Sequence, residues 1–246
     1  MTNYPDVSGI LLAIDCIIFG FDGKDIKLLL IKRNFEPEKG KWSLMGGFLE
    51  PAENLEDGAN RILFDLTGLN NIYVEQLAVY GNVNRDPVAR TVSIVFFALI
   101  NINDYDEEAV RSHDASWISL DSLPSLIFDH NEMVIRAIEH LRYKAALHPI
   151  GFELLPEFFT IPQLQKLYEA IYNTAIDRRN FSRKLLSTGL LIDTGNKNSH
   201  SATKKATLYK LDTVKYNEKF NAFWNFMPDS TENAIKKQVL FENLND

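Results

Sequence analysis

One stretch constrains the fold more than any other: residues 46–69, GGFLEPAENLEDGANRILFDLTGL. Leu55, Ala59, Ile62, Leu63 and Leu66 recur there at helical spacing, which predicts an amphipathic helix over roughly residues 53–67. Gly68 should end it, in the place where a left-handed cap is favoured. Apolar, β-branched runs surround the helix. GILLAIDCIIFGF and DIKLLLIKRN, separated by the turn signal DGK, read as a hairpin, and RTVSIVFFALININ reads as a buried strand. ASWISLDSLPSL suggests a short strand followed by a turn at Pro124. From DHNEMVIRAIEHLRYKAAL onward the period becomes helical, with Asp129 or Asn131 as cap and Met133, Ile135, Ala137, Ile138 and Leu141 as an apolar stripe.

The spacing within the first stretch is that of the Nudix box: Gly, five residues, Glu, seven residues, then Arg-Glu-aliphatic-any-Glu-Glu-any-Gly-aliphatic. Gly47, Glu53, Arg61, Leu63, Gly68 and Leu69 fall on its positions. The upstream KWSLMGGF also resembles the segment that leads into the box, with Met45 where proline is common. The resemblance covers roughly residues 8–145 and implies an α+β fold, a Nudix-like α/β/α sandwich on a mixed sheet. Its chemistry does not carry over. Nudix hydrolases hold divalent metal on glutamates sharing one helix face, and here the three glutamate positions read Ile62, Asp65 and Leu66. Glu53, Glu56 and Asp57 sit near the helix start, where negative charge suits the macrodipole, and Asp57 with Arg61 suits a surface ion pair. The domain is therefore expected to be catalytically inactive, with no metal or other cofactor.

Charge divides the chain. Residues 1–150 carry 13 Lys+Arg against 22 Asp+Glu, whereas residues 160–215 carry 10 against 4, a basic segment on a protein of net charge −7. HPIGFELLPEFF brings two prolines and a glycine, so a domain boundary is expected near residues 148–158. TIPQLQKLYEAIYN then reads as a helix, with Thr160 and Gln163 at capping-box spacing, and DRRNFSRKLLSTG as a second, capped by Asp177 and ended by Gly189. The short strands LLIDTG and TLYKLD flank the basic loop NKNSHSATKKA. Helix, turn, helix and hairpin is the order of a winged helix-turn-helix. The second helix gathers Arg178, Arg179, Asn180, Arg183 and Lys184, leaving Phe181, Leu185 and Leu186 for the core. Arginine fits the guanine edge and asparagine the adenine edge of the major groove, while lysine makes sequence-blind phosphate contacts. Lys204 and Lys205 would lie on the wing. The same pattern also suits a solvated basic helix face; local charge, helix order and basic wing together favour DNA.

FDHNEMVIRAIEHLR, LLPEFFTIPQLQKLYEAI and DRRNFSRKLLSTGLL resemble the linker helix and DNA-binding domain of the Nudix-related transcriptional regulators. The resemblance divides the chain into an effector-sensing domain (1–150), a winged helix-turn-helix (151–215) and a C-terminal extension (216–246). IDCIIFGF, LLLIKRNFEPEKGKWSLMGGF and LININDYD look closest to the arabinose-responsive branch. That implies a repressor-like homodimer on palindromic operator DNA, released by a pentose. Two rival expectations are a regulator answering to ADP-ribose and a Nudix hydrolase of ADP-ribose or a related diphosphate.

Candidate effector-binding residues are Asp15, Arg33, Trp42, Phe48 and Asp86, polar or aromatic groups within or beside the strands. Each has a plainer reading: Trp42 and Phe48 as core, Asp86 as a turn former before Pro87, Arg33 as a solvated strand end. Asp15 stands out, because a carboxylate inside an apolar strand must find a partner. His113 and His130 read as surface or cap residues. A single cysteine, Cys16, excludes an internal disulfide, and the run ILLAIDCIIFGF is too short and too polar at Asp15 to span a bilayer. A cytoplasmic location without membrane contact is the expectation.

Overall fold

The computed structural model describes residues 9–70, 72–104, 110, 113–147, 154–197 and 206–222. These fall into two compact units, residues 1–156 with 162–176, and residues 157–161 with 177–246.

The first unit is built on β1 (Leu11–Phe21), a strand whose last eight residues are buried without a break. Such a continuous apolar run belongs in the middle of a sheet covered on both faces. Its partners are β2 (Ile26–Lys32), β3 (Trp42–Ser43), β4 (Met45–Phe48), β5 (Glu75–Tyr80), β6 (Thr91–Asn101) and β7 (Ala115–Ser119). Along one edge β1 runs parallel to β6 over its full length, from Leu11↔Thr91 to Phe21↔Asn101. The other edge is shared: Phe19–Phe21 pair antiparallel with β2, and Ala13–Cys16 with β4. The sheet is therefore mixed, in the order β3-β2-β1-β6-β5, with β7 on β2. The β1–β2 turn forms because Asp22 Oδ1 accepts hydrogen bonds from the Lys24 and Asp25 amides at 2.9 and 2.8 Å and Gly23 takes φ 94°.

Helix α1 (Leu55–Thr67) ends at Gly68, whose φ of 72° is the left-handed cap conformation. Ala59, Ile62 and Leu63 bury its apolar face in one cluster with Ile14, Met45 and Phe96. In α2 (His130–Leu147) the buried face is Met133, Val134, Ala137 and Leu141, while Ile135 is exposed. At 100° per residue Ile135 lies opposite Met133, so it falls outside the stripe read from the sequence. Asn131 does not cap α2 either, since its side chain bonds to the Leu126 backbone.

Helix α3 (Ile161–Tyr172), apart from Ile161, belongs to the first unit. Arg142 of α2 donates from Nε to the Ile171 carbonyl at 3.0 Å, and Tyr172 Oη donates to the Arg142 carbonyl at 3.1 Å. The second unit holds α4 (Arg178–Ser187), the antiparallel hairpin β8 (Leu191–Lys197) and β9 (Thr207–Leu211), and α5 (Thr213–Ala222). Phe159 and Tyr209 exchange backbone hydrogen bonds at 3.0 and 2.8 Å, extending that hairpin. Among the described residues no helix is long and apolar enough to cross a membrane.

Candidate functional site

On α1 the three residues that fall on the motif's glutamate positions have separate fates. Ile62 is 2% exposed, and Gly47 sits on it so closely that a Cβ there would lie 3.0 Å from Ile62 Cγ1. Leu66 packs against the same core cluster. Asp65 is 57% exposed and 3.8 Å from Arg61 Nη1. Hydrocarbon thus stands at two of the three positions, packed into the core. Truncation of Ile62 to alanine should cost about 2–5 kcal/mol of stability, as for other large-to-small core changes. A urea midpoint unchanged from wild type would deny this packing.

Arg61 does not pair with Asp57. It donates from Nε and Nη2 to Glu53 at 2.9 and 2.6 Å and from Nη2 to the Phe48 carbonyl at 3.0 Å, while Asp57 accepts from Asn54 at 3.0 Å. The Arg61 contact holds the Glu53 carboxyl down at about 2. Glu53 is thus committed to the arginine and to the Glu50 amide, which donates to it at 2.8 Å. Among the described residues no group of three or more His, Cys, Asp or Glu is placed to hold a metal ion.

Beside the start of the motif lies a cleft of about 110 Å³, lined by Asp15, Arg33, Phe48 and Asp86, four of the five residues singled out from sequence. That volume is small beside the roughly 300–1,000 Å³ of a drug-sized site. Trp42 is not part of the lining; it is half-buried on β3, with Lys32 Nζ 5.2 Å from its ring centre. Phe48 is no core residue, being 53% exposed at the rim, and Phe35 stands there too at 55%. The Arg33 guanidinium lies 3.8 Å from the Phe35 ring centre, which takes it out of the solvated role expected of a strand end. Asp86 does form a turn: it accepts from the Val88 amide at 2.8 Å and from Thr91 Oγ1 at 3.3 Å.

Asp15 has the partners its burial demands. Ser93 Oγ donates to Asp15 Oδ2 at 2.6 Å, and Arg85 Nη2 stands 3.6 Å from the same oxygen. Opposite it in the strand register is Gly46, where a Cβ would come within 2.3 Å of Asp15 Oδ1. Glycine at this place is therefore what gives the carboxylate room. Arg85 is 8% exposed and holds Asp129 through two hydrogen bonds of 2.8 Å. Burial lowers its pKa, and Asp129 with Asp15 more than reverses the effect.

His130 is neither surface nor cap: it is 4% exposed, at the start of α2. Its Nδ1 accepts the Leu44 amide at 3.2 Å, which places the ring proton on Nε2, 3.6 Å from Asp15 Oδ1. Burial pushes the His130 pKa down, with Asp15 opposing. Sequence reasoning missed Arg85, Asp129 and His130 as a group. The available signal was Asp15, a buried carboxylate that had to have a cation nearby.

In the second unit Asp177 caps α4 by accepting the Asn180 amide at 2.8 Å. Arg178, Arg179, Asn180, Arg183 and Lys184 are all exposed. Helical geometry puts Arg179, Asn180, Arg183 and Lys184 on one arc, with Arg183 Nη2 donating to Asn180 Oδ1 at 2.7 Å. Arg178 lies on the side of half-buried Phe181 and Leu185. Leu186, expected in the core, is 48% exposed, since it falls next to Arg179 on the helical wheel. Lys204 and Lys205 lie outside the described residues.

Two family models match the chain: the NUDIX domain over residues 10–138 and the NrtR DNA-binding winged helix domain over residues 151–211. The ADPR responsive transcriptional repressor NtrR of Acinetobacter baylyi is 32% identical over 89% of this chain and 88% of its own length. The ADP-ribose pyrophosphatase of Methanocaldococcus jannaschii is 37% identical over 54% of this chain and 74% of its own. The crystal structure of Shewanella oneidensis NrtR complexed with a 27mer DNA is similar with a TM-score of 0.71 at 31% identity, covering 84% of this chain and 95% of that one.

Proposed function

The chain belongs to the Nudix-domain regulators that carry an NrtR-type DNA-binding winged helix, and from that membership we propose that it is a transcriptional repressor whose Nudix domain senses ADP-ribose. One observation carries the reading: 32% identity to an ADPR responsive repressor over 89% of the chain. The relatives do not support closeness to the arabinose-responsive branch, so the pentose gives way to ADP-ribose as effector. The cleft suits this ligand. It has room for one part of the molecule: exposed Phe35 and Phe48 offer ring faces to a base, and Arg33 a cation to the diphosphate beside it. Operator DNA is the second partner, met by the arc Arg179, Asn180, Arg183 and Lys184. A homodimer would bring two such helices to half-sites roughly 34 Å apart on a palindromic operator.

The domain binds without hydrolysing, because Ile62 and Leu66 replace two of the motif's three glutamates. A second reading, hydrolysis of ADP-ribose to AMP and ribose 5-phosphate, draws on the 37% identity to a pyrophosphatase. Titration calorimetry with ADP-ribose and with L-arabinose, followed by incubation with ADP-ribose and magnesium, separates the readings. Saturable heat with ADP-ribose alone and no AMP released is the expected result. Magnesium-dependent AMP release that Asp65→Ala abolishes would establish the hydrolase, and heat with L-arabinose alone would restore the pentose.

A further inference from the structure

Arg85 has two sets of obligations. It is among the residues lining the cleft and its Nη2 stands 3.6 Å from Asp15 Oδ2, yet its two short hydrogen bonds go to Asp129, which is not part of the lining. Asp129 is the residue immediately before α2, and its own backbone carbonyl accepts the Glu132 and Met133 amides of the first helical turn. The Arg85 fork and the first turn of that helix therefore meet in one residue. In sequence, α2 is the element that leads from the Nudix domain toward the winged helix.

The residue between cleft and helix is strained. Phe128 lines the cleft and has φ 49°, a left-handed conformation that a bulky aromatic residue adopts at a cost. Such a conformation persists only where its surroundings over-determine it. On its C-terminal side the Arg85 fork grips Asp129, and His130 is fixed by the Leu44 amide, with the Phe128 and His130 rings packed edge to face at 5.9 Å. A strained residue touching a ligand site, held by a charge pair on a helix start, has the makings of a two-state element.

We propose that the Arg85–Asp129 pair is a latch coupling the effector cleft to α2. An effector oxyanion entering the cleft competes with Asp129 for the Arg85 guanidinium, frees Asp129 and lets the Phe128 backbone relax. This inference rests on the effector reading above. Arg85 is then an effector-contacting residue and Asp129 the positioning residue behind it, and the latched form is the one in which the Arg85 fork is not spent on ligand. By linkage, anything that breaks the latch must imitate the effector.

The test uses the full-length protein and its upstream promoter DNA, with ADP-ribose as the probe. Asp129→Asn removes the charge and keeps the shape. Its DNA affinity without ADP-ribose should shift by tenfold or more, in the direction in which saturating ADP-ribose shifts the wild type. Its ADP-ribose affinity should rise, and the residual effect of ADP-ribose on DNA binding should fall below threefold. A purely structural pair would lower the melting temperature and raise no ligand affinity. Arg85→Lys keeps the charge but loses the two-pronged fork; its DNA affinity without ADP-ribose should shift in the same direction, a change that a lost ligand contact alone does not produce, and it decides the matter if Asp129→Asn does not fold by circular dichroism. Coupling equal to wild type in a folded variant overturns the latch and leaves the effector reading standing. A wild type whose DNA binding ignores ADP-ribose overturns both.

Discussion

Replacing Arg85 with methionine should lower the unfolding free energy by about 3–5 kcal/mol, the usual cost of removing one partner from a buried ion pair. The size follows from what is left behind. Asp15, 4% exposed, would keep Ser93 and the His130 edge among the described residues, and Asp129 would lose both of its short hydrogen bonds to Arg85. Methionine matches the stem of the arginine well enough that little of the loss should come from packing. Urea denaturation measures it directly. A loss below about 1 kcal/mol, the range of an exposed pair, would mean that water or a rearranged side chain serves the two carboxylates, and the site would not be a dry, charge-balanced network.

The second large effect belongs to α4. Arg179→Ala and Arg183→Ala should each weaken promoter binding by about 5–150-fold, the range for an arginine reading a base edge. Both lie on the exposed arc, and Arg183 is already oriented by its hydrogen bond to Asn180. Neither side chain supports the helix end, which Asp177 caps, so the fold should survive. Arg178→Ala should matter less, because its direction is that of Phe181 and Leu185. Lys184→Ala should weaken all sequences alike and reduce the salt slope by about one. Salt-matched shift assays distinguish these patterns. Unchanged affinity in both Arg179→Ala and Arg183→Ala would remove α4 from the interface.

Sequence carried the fold far. The box spacing located α1 and its Gly68 cap, and continuous apolar runs located β1, β2 and β6. The strand β5 escaped notice because it is a six-residue edge strand with one buried residue, Ala78, and a register shift between Gln76 and Ala78. In the cleft, Asp15 was visible for a local reason, being a carboxylate in an apolar strand. Arg85 was not, since a lone arginine in a loop looks solvated, and its burial comes from Asp129, 44 residues away. His130 likewise owes its burial to Leu44, 86 residues back. Contacts of that range have no periodic trace in a single sequence. The effector was hard to read for another reason: Ile62 and Leu66 at two glutamate positions of the motif bear on hydrolysis and say nothing of which ligand is bound.

Binding of the protein to its own upstream promoter DNA, followed by fluorescence anisotropy with ADP-ribose, with L-arabinose and with neither, is the measurement that decides whether ADP-ribose is the effector. An ADP-ribose-responsive repressor binds the DNA specifically, and ADP-ribose changes that affinity by tenfold or more while L-arabinose leaves it alone. Specific binding that answers to L-arabinose and ignores ADP-ribose, or no specific binding under any condition, would contradict it.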